Sequence, residues 1–99
     1  MNAPVIHREI LKLHIAAVEE MYPITFVGRL PRGSVGSVRI SDENALEFLC
    51  RKREGLTLFD LCGAENELGR RLGRTVGIVL ESGLKGREAE EFPRLAEPL

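Results

Sequence analysis

The chain reads as one small α/β domain in which helices pack on a small mixed sheet. Three observations predict this. Apolar residues recur at helical spacing near the start of the chain and again over residues 57–72. Short apolar runs separate the helical stretches, at residues 24–27, 45–50 and 76–80. The resulting order is helix, strand, irregular segment, strand, helix, strand, helix, an alternation that favours mixed layers. At 99 residues the chain suits one domain and has no room for two. Hydrophobic residues make up 43% and charged residues 29%, enough apolar content to form a core. That core is thin for so short a chain, which leaves scope for partners or a homo-oligomer to add stability.

The first element is an amphipathic helix over residues 4–21. Ile6, Ile10, Leu13, Ala17 and Met21 lie at helical spacing, Pro4 suits a first turn, and Pro23 ends the element. Residues 24–27 make a short strand. Residues 28–44 contain three glycines, three serines and one proline, and fit neither helix nor strand. A second strand follows over residues 45–50, carried by Leu46, Phe48, Leu49 and Cys50. The next helix has the clearest signals. Thr57 caps it, Asp60 sits near its positive end, Arg70 and Arg71 lie in its last turn, and Gly73 suits a left-handed C-terminal residue. Leu58, Leu61, Cys62, Leu68 and Leu72 form its apolar stripe. The continuous apolar run 76–80 predicts a strand buried on both faces. Residues 83–99 form a weaker final helix, with Pro93 expected to end or kink it.

Composition excludes several function classes. Lys and Arg number 14 against 15 Asp and Glu, so there is no basic surplus of the kind that displaces counterions from nucleic acid. The local groups Arg29/Arg32, Arg51/Lys52/Arg53 and Arg70/Arg71/Arg74 read as solvated surface. Cys50 and Cys62 form no C-x-x-C pair and no disulfide framework, and are expected as buried thiols. No apolar run approaches the roughly 18 residues of a membrane span. Arg8, Glu9 and Lys12 interrupt any signal-peptide core, so a cytoplasmic location is expected. His7 and His14 share one helical face, but no neighbouring cysteine or carboxylate completes a metal set. Ser34 and Ser37 lack a His–Asp partner for nucleophilic work.

The segments Leu56-Thr57-Leu58-Phe59-Asp60-Leu61, Glu65-Asn66-Glu67-Leu68 and Leu72-Gly73-Arg74-Thr75-Val76 stand out together. With the tail Gly83-Leu84-Lys85 and Ala96-Glu97-Pro98-Leu99, they make residues 33–99 resemble the minimal nucleotidyltransferases, small members of the DNA polymerase beta-like superfamily. The resemblance implies the nucleotidyltransferase fold, with residues 1–22 as an N-terminal helix. It also implies a glycine-serine loop near the nucleotide phosphates, an Asp-x-Asp pair on the second strand and a third Asp on the strand after the long helix. Alternate residues of a strand face one side, so the paired carboxylates converge on a divalent ion. Mg²⁺ and ATP are the implied cofactor and substrate. The implied reaction is transfer of AMP to an acceptor hydroxyl, and the implied partner is a HEPN-type toxin that the nucleotidyltransferase counters as antitoxin.

Two registers place this chain on that pattern. The gapless one starts at Gly33-Ser34, the nucleotide-binding candidates. It puts Ala45 and Glu47 at the two Asp-x-Asp positions and Gly77 at the third. Glu47 is then the one metal and catalytic candidate, longer than Asp by a methylene. The other register uses Gly28 as the loop glycine and brings in Asp42 as the catalytic carboxylate, with Asn44 as a neutral ligand; Gly77 still stands at the third position. Asp42 and Glu43 are also candidates for relocation into the site. In either register the acidic set is incomplete, so impaired or lost catalysis with a retained partner-binding role is the expectation. An active enzyme using Glu47 is the alternative.

Overall fold

A computed structural model describes residues 7–31 and 45–99. Chain order runs α1 (Arg8–Met21), β1 (Ile24–Leu30), β2 (Leu46–Lys52), α2 (Leu58–Leu72), β3 (Val76–Leu80), a 3-10 turn (Glu81–Gly83) and α3 (Arg87–Leu95). The strands form one sheet in the order β1-β2-β3. β1 pairs antiparallel with β2, and β2 pairs parallel with β3 through the α2 crossover. The α/β class and the mixed sheet are as the sequence predicts. Among the described residues no helix is long and apolar enough to cross a membrane. Gly33, Ser34, Ser37, Asp42, Glu43 and Asn44 lie outside the described residues, as do Pro4 and Ile6.

α1 and α2 cover one face of the sheet. Leu11, Ile15 and Val18 of α1 meet Ala64 and Leu68 of α2 over Ile24, Phe26, Leu46, Phe48, Cys50 and Val76. Phe26 and Phe48 stack edge to face, with ring centroids 5.5 Å apart. The opposite face holds a smaller cluster in which Phe92 of α3 packs against Leu30 and Leu49. β2 is buried toward both layers, which accounts for its run of five buried residues from Leu46 to Cys50. Ile78 and Leu80 reach the first cluster and Val79 the second, so β3 also contributes to both faces.

α2 begins and ends as its sequence predicts. Thr57 accepts the Asp60 N–H at 3.1 Å while the Asp60 carboxylate accepts the Thr57 N–H at 3.0 Å, a reciprocal capping box. Gly73 at φ 68° closes the helix, and its N–H donates to the Gly69 carbonyl. The stripe is only partly as expected, because Leu58 is 76% exposed and Cys62 is exposed. The buried positions are Ala64 and Leu68. Cys50 is the buried thiol, and burial pushes its pKa well up.

Three other expectations are corrected. α1 is rotated from the predicted stripe: Leu11, Ile15 and Val18 are buried, while Ile10, Leu13 and Met21 are exposed. Glu19 lies beside the buried flank and is partly buried. Its carboxylate accepts the Phe26 N–H at 2.8 Å, which turns that flank of the helix toward β1. β1 continues past Val27 to Leu30, into the stretch expected to be irregular. The register shifts between Phe26 and Gly28, so Phe26 faces the helices while Leu30 faces α3. Pro93 sits inside α3 without ending it. It falls in the last turn of a short helix, where little of the ladder is lost, and Phe92 anchors the segment in the second cluster.

Several arginines of the basic groups lie at the surface, as expected, and make hydrogen bonds there. The Arg53 guanidinium donates to the carbonyls of Glu19, Tyr22 and Ile24, and so ties the α1–β1 turn to the end of β2. Arg70 and Arg71 both donate to Glu67 one turn back, and Arg51 donates to Glu81 at 2.7 Å.

Candidate functional site

The candidate site is built on the sheet face opposite α1 and α2, at the N-terminal end of β2. Glu47 is the direct Cα partner of Gly77 across the parallel β2–β3 ladder and of Leu30 across the antiparallel β1–β2 ladder. The period of two in a strand puts Ala45 on the same side as Glu47. The three positions that the gapless register assigns to carboxylates therefore share one end of one face. Glu47 is 8% exposed, and Gly77 beside it is buried.

A cleft of about 310 Å³ opens at this end, lined by residues 29–31, residues 45–47 and Glu97. Its volume lies near the lower limit for small-molecule sites. Glu97 was not foreseen as a site residue. It arrives from the C-terminal tail, which lies antiparallel to β1: the Arg29 N–H donates to the Glu97 carbonyl at 2.9 Å, and the Glu97 N–H donates to the Arg29 carbonyl at 2.7 Å. Gly28 permits this approach, since a Cβ there would stand 2.8 Å from the Glu97 carbonyl oxygen and 2.9 Å from the Ala96 Cβ. No periodicity in the tail foretells that placement, although Ala96-Glu97-Pro98-Leu99 is part of the family-like region.

In the second register Gly28 serves as the loop glycine. The structure makes it a strand residue, paired with Leu49. Gly33, Ser34 and Asp42 are outside the described residues, so the geometry at hand concerns Ala45, Glu47 and Gly77.

The described residues at this end of the sheet do not by themselves make a magnesium donor set. Ala45 and Gly77 carry no oxygen ligand in their side chains, and among the described residues no group of three or more His, Cys, Asp or Glu side chains is placed to hold a metal. Magnesium keeps its hydration shell unless several anionic oxygens surround it.

No family model and no curated protein sequence matches the chain. A solved structure described as "Structure of putative minimal nucleotidyltransferase" matches with a TM-score of 0.70 and 29% identity, over 98% of this chain and 100% of that one. This chain has the nucleotidyltransferase-like fold. The match extends across the N-terminal helix as well as the region from residue 33 onward. Within that fold, Glu47 and Gly77 are paired across the β2–β3 ladder, and Ala45 immediately precedes β2.

Proposed function

We propose that this chain is a minimal nucleotidyltransferase whose chemistry is impaired or lost, and which acts by binding a protein partner in the manner of an antitoxin, with a HEPN-type toxin as that partner. The observation that carries this reading is the convergence of Ala45, Glu47 and Gly77 at one end of one sheet face. One carboxylate stands where three would concentrate charge for Mg²⁺ and ATP. The 29% likeness to a minimal nucleotidyltransferase supports the family, and the intact packing around Phe48 and Leu49 supports a scaffold kept for binding.

The second reading is an active, Mg²⁺-dependent enzyme that transfers AMP from ATP to a protein hydroxyl, with Glu47 as its catalytic carboxylate and Asp42 or Glu43 relocated beside it. The specific observation in its favour is Glu97, which adds a second acidic residue to the cleft. The two readings separate on incubation of the purified chain with α-labelled ATP, Mg²⁺ and a HEPN-type protein encoded beside it. The first expects a stable complex and no label on the partner. Label transfer that disappears in Glu47→Gln establishes the second and overturns the first.

A further inference from the structure

Among the described residues the sheet has β1 and β3 as its edges, and an edge strand presents backbone donors that invite another strand. In this fold a helix carboxylate occupies a donor on both. On β1, the Arg53 N–H to Pro23 carbonyl bond sets which residues face β2 and leaves Ile24 and Phe26 facing outward. The Ile24 N–H donates to the Tyr22 carbonyl at 2.8 Å, the Phe26 N–H to Glu19 Oε2 at 2.8 Å, and beyond the bulge the Arg29 N–H to the Glu97 carbonyl. On β3, the Leu46 N–H to Thr75 carbonyl bond at 2.8 Å turns Thr75 toward β2. By alternation Gly77 and Val79 also face β2, whereas Ile78 faces the open side. The Ile78 N–H donates to Glu65 Oε2 at 2.7 Å.

The two edges differ in what else protects them. β1 has a bulge, an arginine and the paired C-terminal tail. β3 is Val76-Gly77-Ile78-Val79-Leu80, with no charge, no proline and no bulge in its pairing. An uncharged, apolar edge of that kind pairs readily with an identical strand about a two-fold axis. Glu65 comes from α2, whose rotation is set by the burial of Ala64 and Leu68 against the sheet, and its carboxylate is bonded to the strand.

We propose that Glu65, with Glu19 as its counterpart on β1, is an edge plug that keeps β3 from pairing with β3 of a second copy of this chain. A carboxylate does this in two ways. It occupies the Ile78 donor that an added strand needs, and it sets negative charge in the path of the incoming carbonyl oxygen.

The test uses the full chain as wild type, Glu65→Ala and Glu65→Gln. Mass is followed by light scattering across a concentration series, fold by circular dichroism, and the Ile78 amide by hydrogen exchange in dilute samples. In wild type, the Ile78 amide exchanges as slowly as the ladder amides of β2. Glu65→Ala, still folded, speeds Ile78 exchange by tenfold or more and gains mass with concentration. Glu65→Gln, whose amide oxygen still accepts the bond, keeps the wild-type exchange rate. The proposal is overturned by rapid Ile78 exchange in wild type, a measurement that does not depend on any variant folding. It is also overturned by a folded Glu65→Ala that keeps wild-type mass at every concentration, or by larger species that have lost native circular dichroism, since those report unfolding.

Discussion

Gly28→Ala tests how the C-terminal tail is held beside the candidate cleft. The added methyl would meet the Glu97 carbonyl oxygen at 2.8 Å and the Ala96 Cβ at 2.9 Å. The first of these is backbone in a paired segment, so the clash is relieved only by moving the tail away from β1. Moving it breaks the two bonds between Arg29 and Glu97, each contributing about 0.5–1.5 kcal/mol. Replacing glycine within a strand recovers about 0.5–1 kcal/mol of backbone entropy. The net of these terms is a destabilisation of about 0–2.5 kcal/mol, centred near 1.25 kcal/mol. For a domain of this size the central value lowers the midpoint of thermal unfolding by about 5–10 °C. Thermal denaturation measures the total, and hydrogen exchange of the Arg29 and Glu97 amides locates it. A variant as stable as wild type, with both amides still protected, would refute the reasoning, because it would mean that the tail accommodates the methyl without leaving the strand.

Two further outcomes are expected. Leu68→Ala empties the middle of the α1–α2 layer at a fully buried position and should cost about 2–5 kcal/mol, read as a lower denaturation midpoint in urea at an unchanged slope. Hydrogen bonding from Arg70, then from Arg71, lowers the pKa of Glu67 below its ordinary value. The ion pairs therefore stabilise the folded state above the ordinary glutamate range, and that contribution is lost as pH falls through the lowered folded value. Glu67→Gln should flatten this acid limb in thermal melts taken from neutral pH downward, and an acid limb identical to that of wild type would remove the assignment.

The parts of the fold legible in the sequence are those decided locally. Thr57, Asp60 and Gly73 bound α2 through interactions spanning only a few residues, and the structure has each of them in its expected role. β3 falls on the predicted residues because an apolar run between two turns has few other solutions. Three of the misreadings trace to contacts between different elements. α1 is apolar around much of its circumference, so its rotation depends on Glu19 reaching the Phe26 N–H across the α1–β1 turn. β1 is extended by a bulge whose effect appears only once Leu30 has α3 to pack against. Glu97 joins the cleft because the tail crosses β1 at a glycine 69 positions earlier, a pairing that no periodicity records. Of the candidate site, the structure pairs Glu47 with Gly77 across the β2–β3 ladder, and the cleft around Glu47 had no local signal at all.

The same geometry explains how an acidic site and a fold come apart. Ala45 and Gly77 are absent from the two core clusters, whereas the residues that hold the layers together include Leu46, Phe48 and Leu49. Carboxylates at positions 45 and 77 would sit beside an already buried Glu47, and like charges in a shared low-dielectric site raise one another's pKa and disfavour the folded state unless a cation neutralises them. Alanine and glycine remove that repulsion without taking any atom from the core. A protein selected for catalysis has to tolerate the repulsion, because the charge is what draws in the metal. One selected only to present its surface to a partner is under no such constraint, and the neutral residues are then the more stable choice. On the proposed binding role, Ala45 and Gly77 carry no penalty, because that role needs no metal at this end of the sheet.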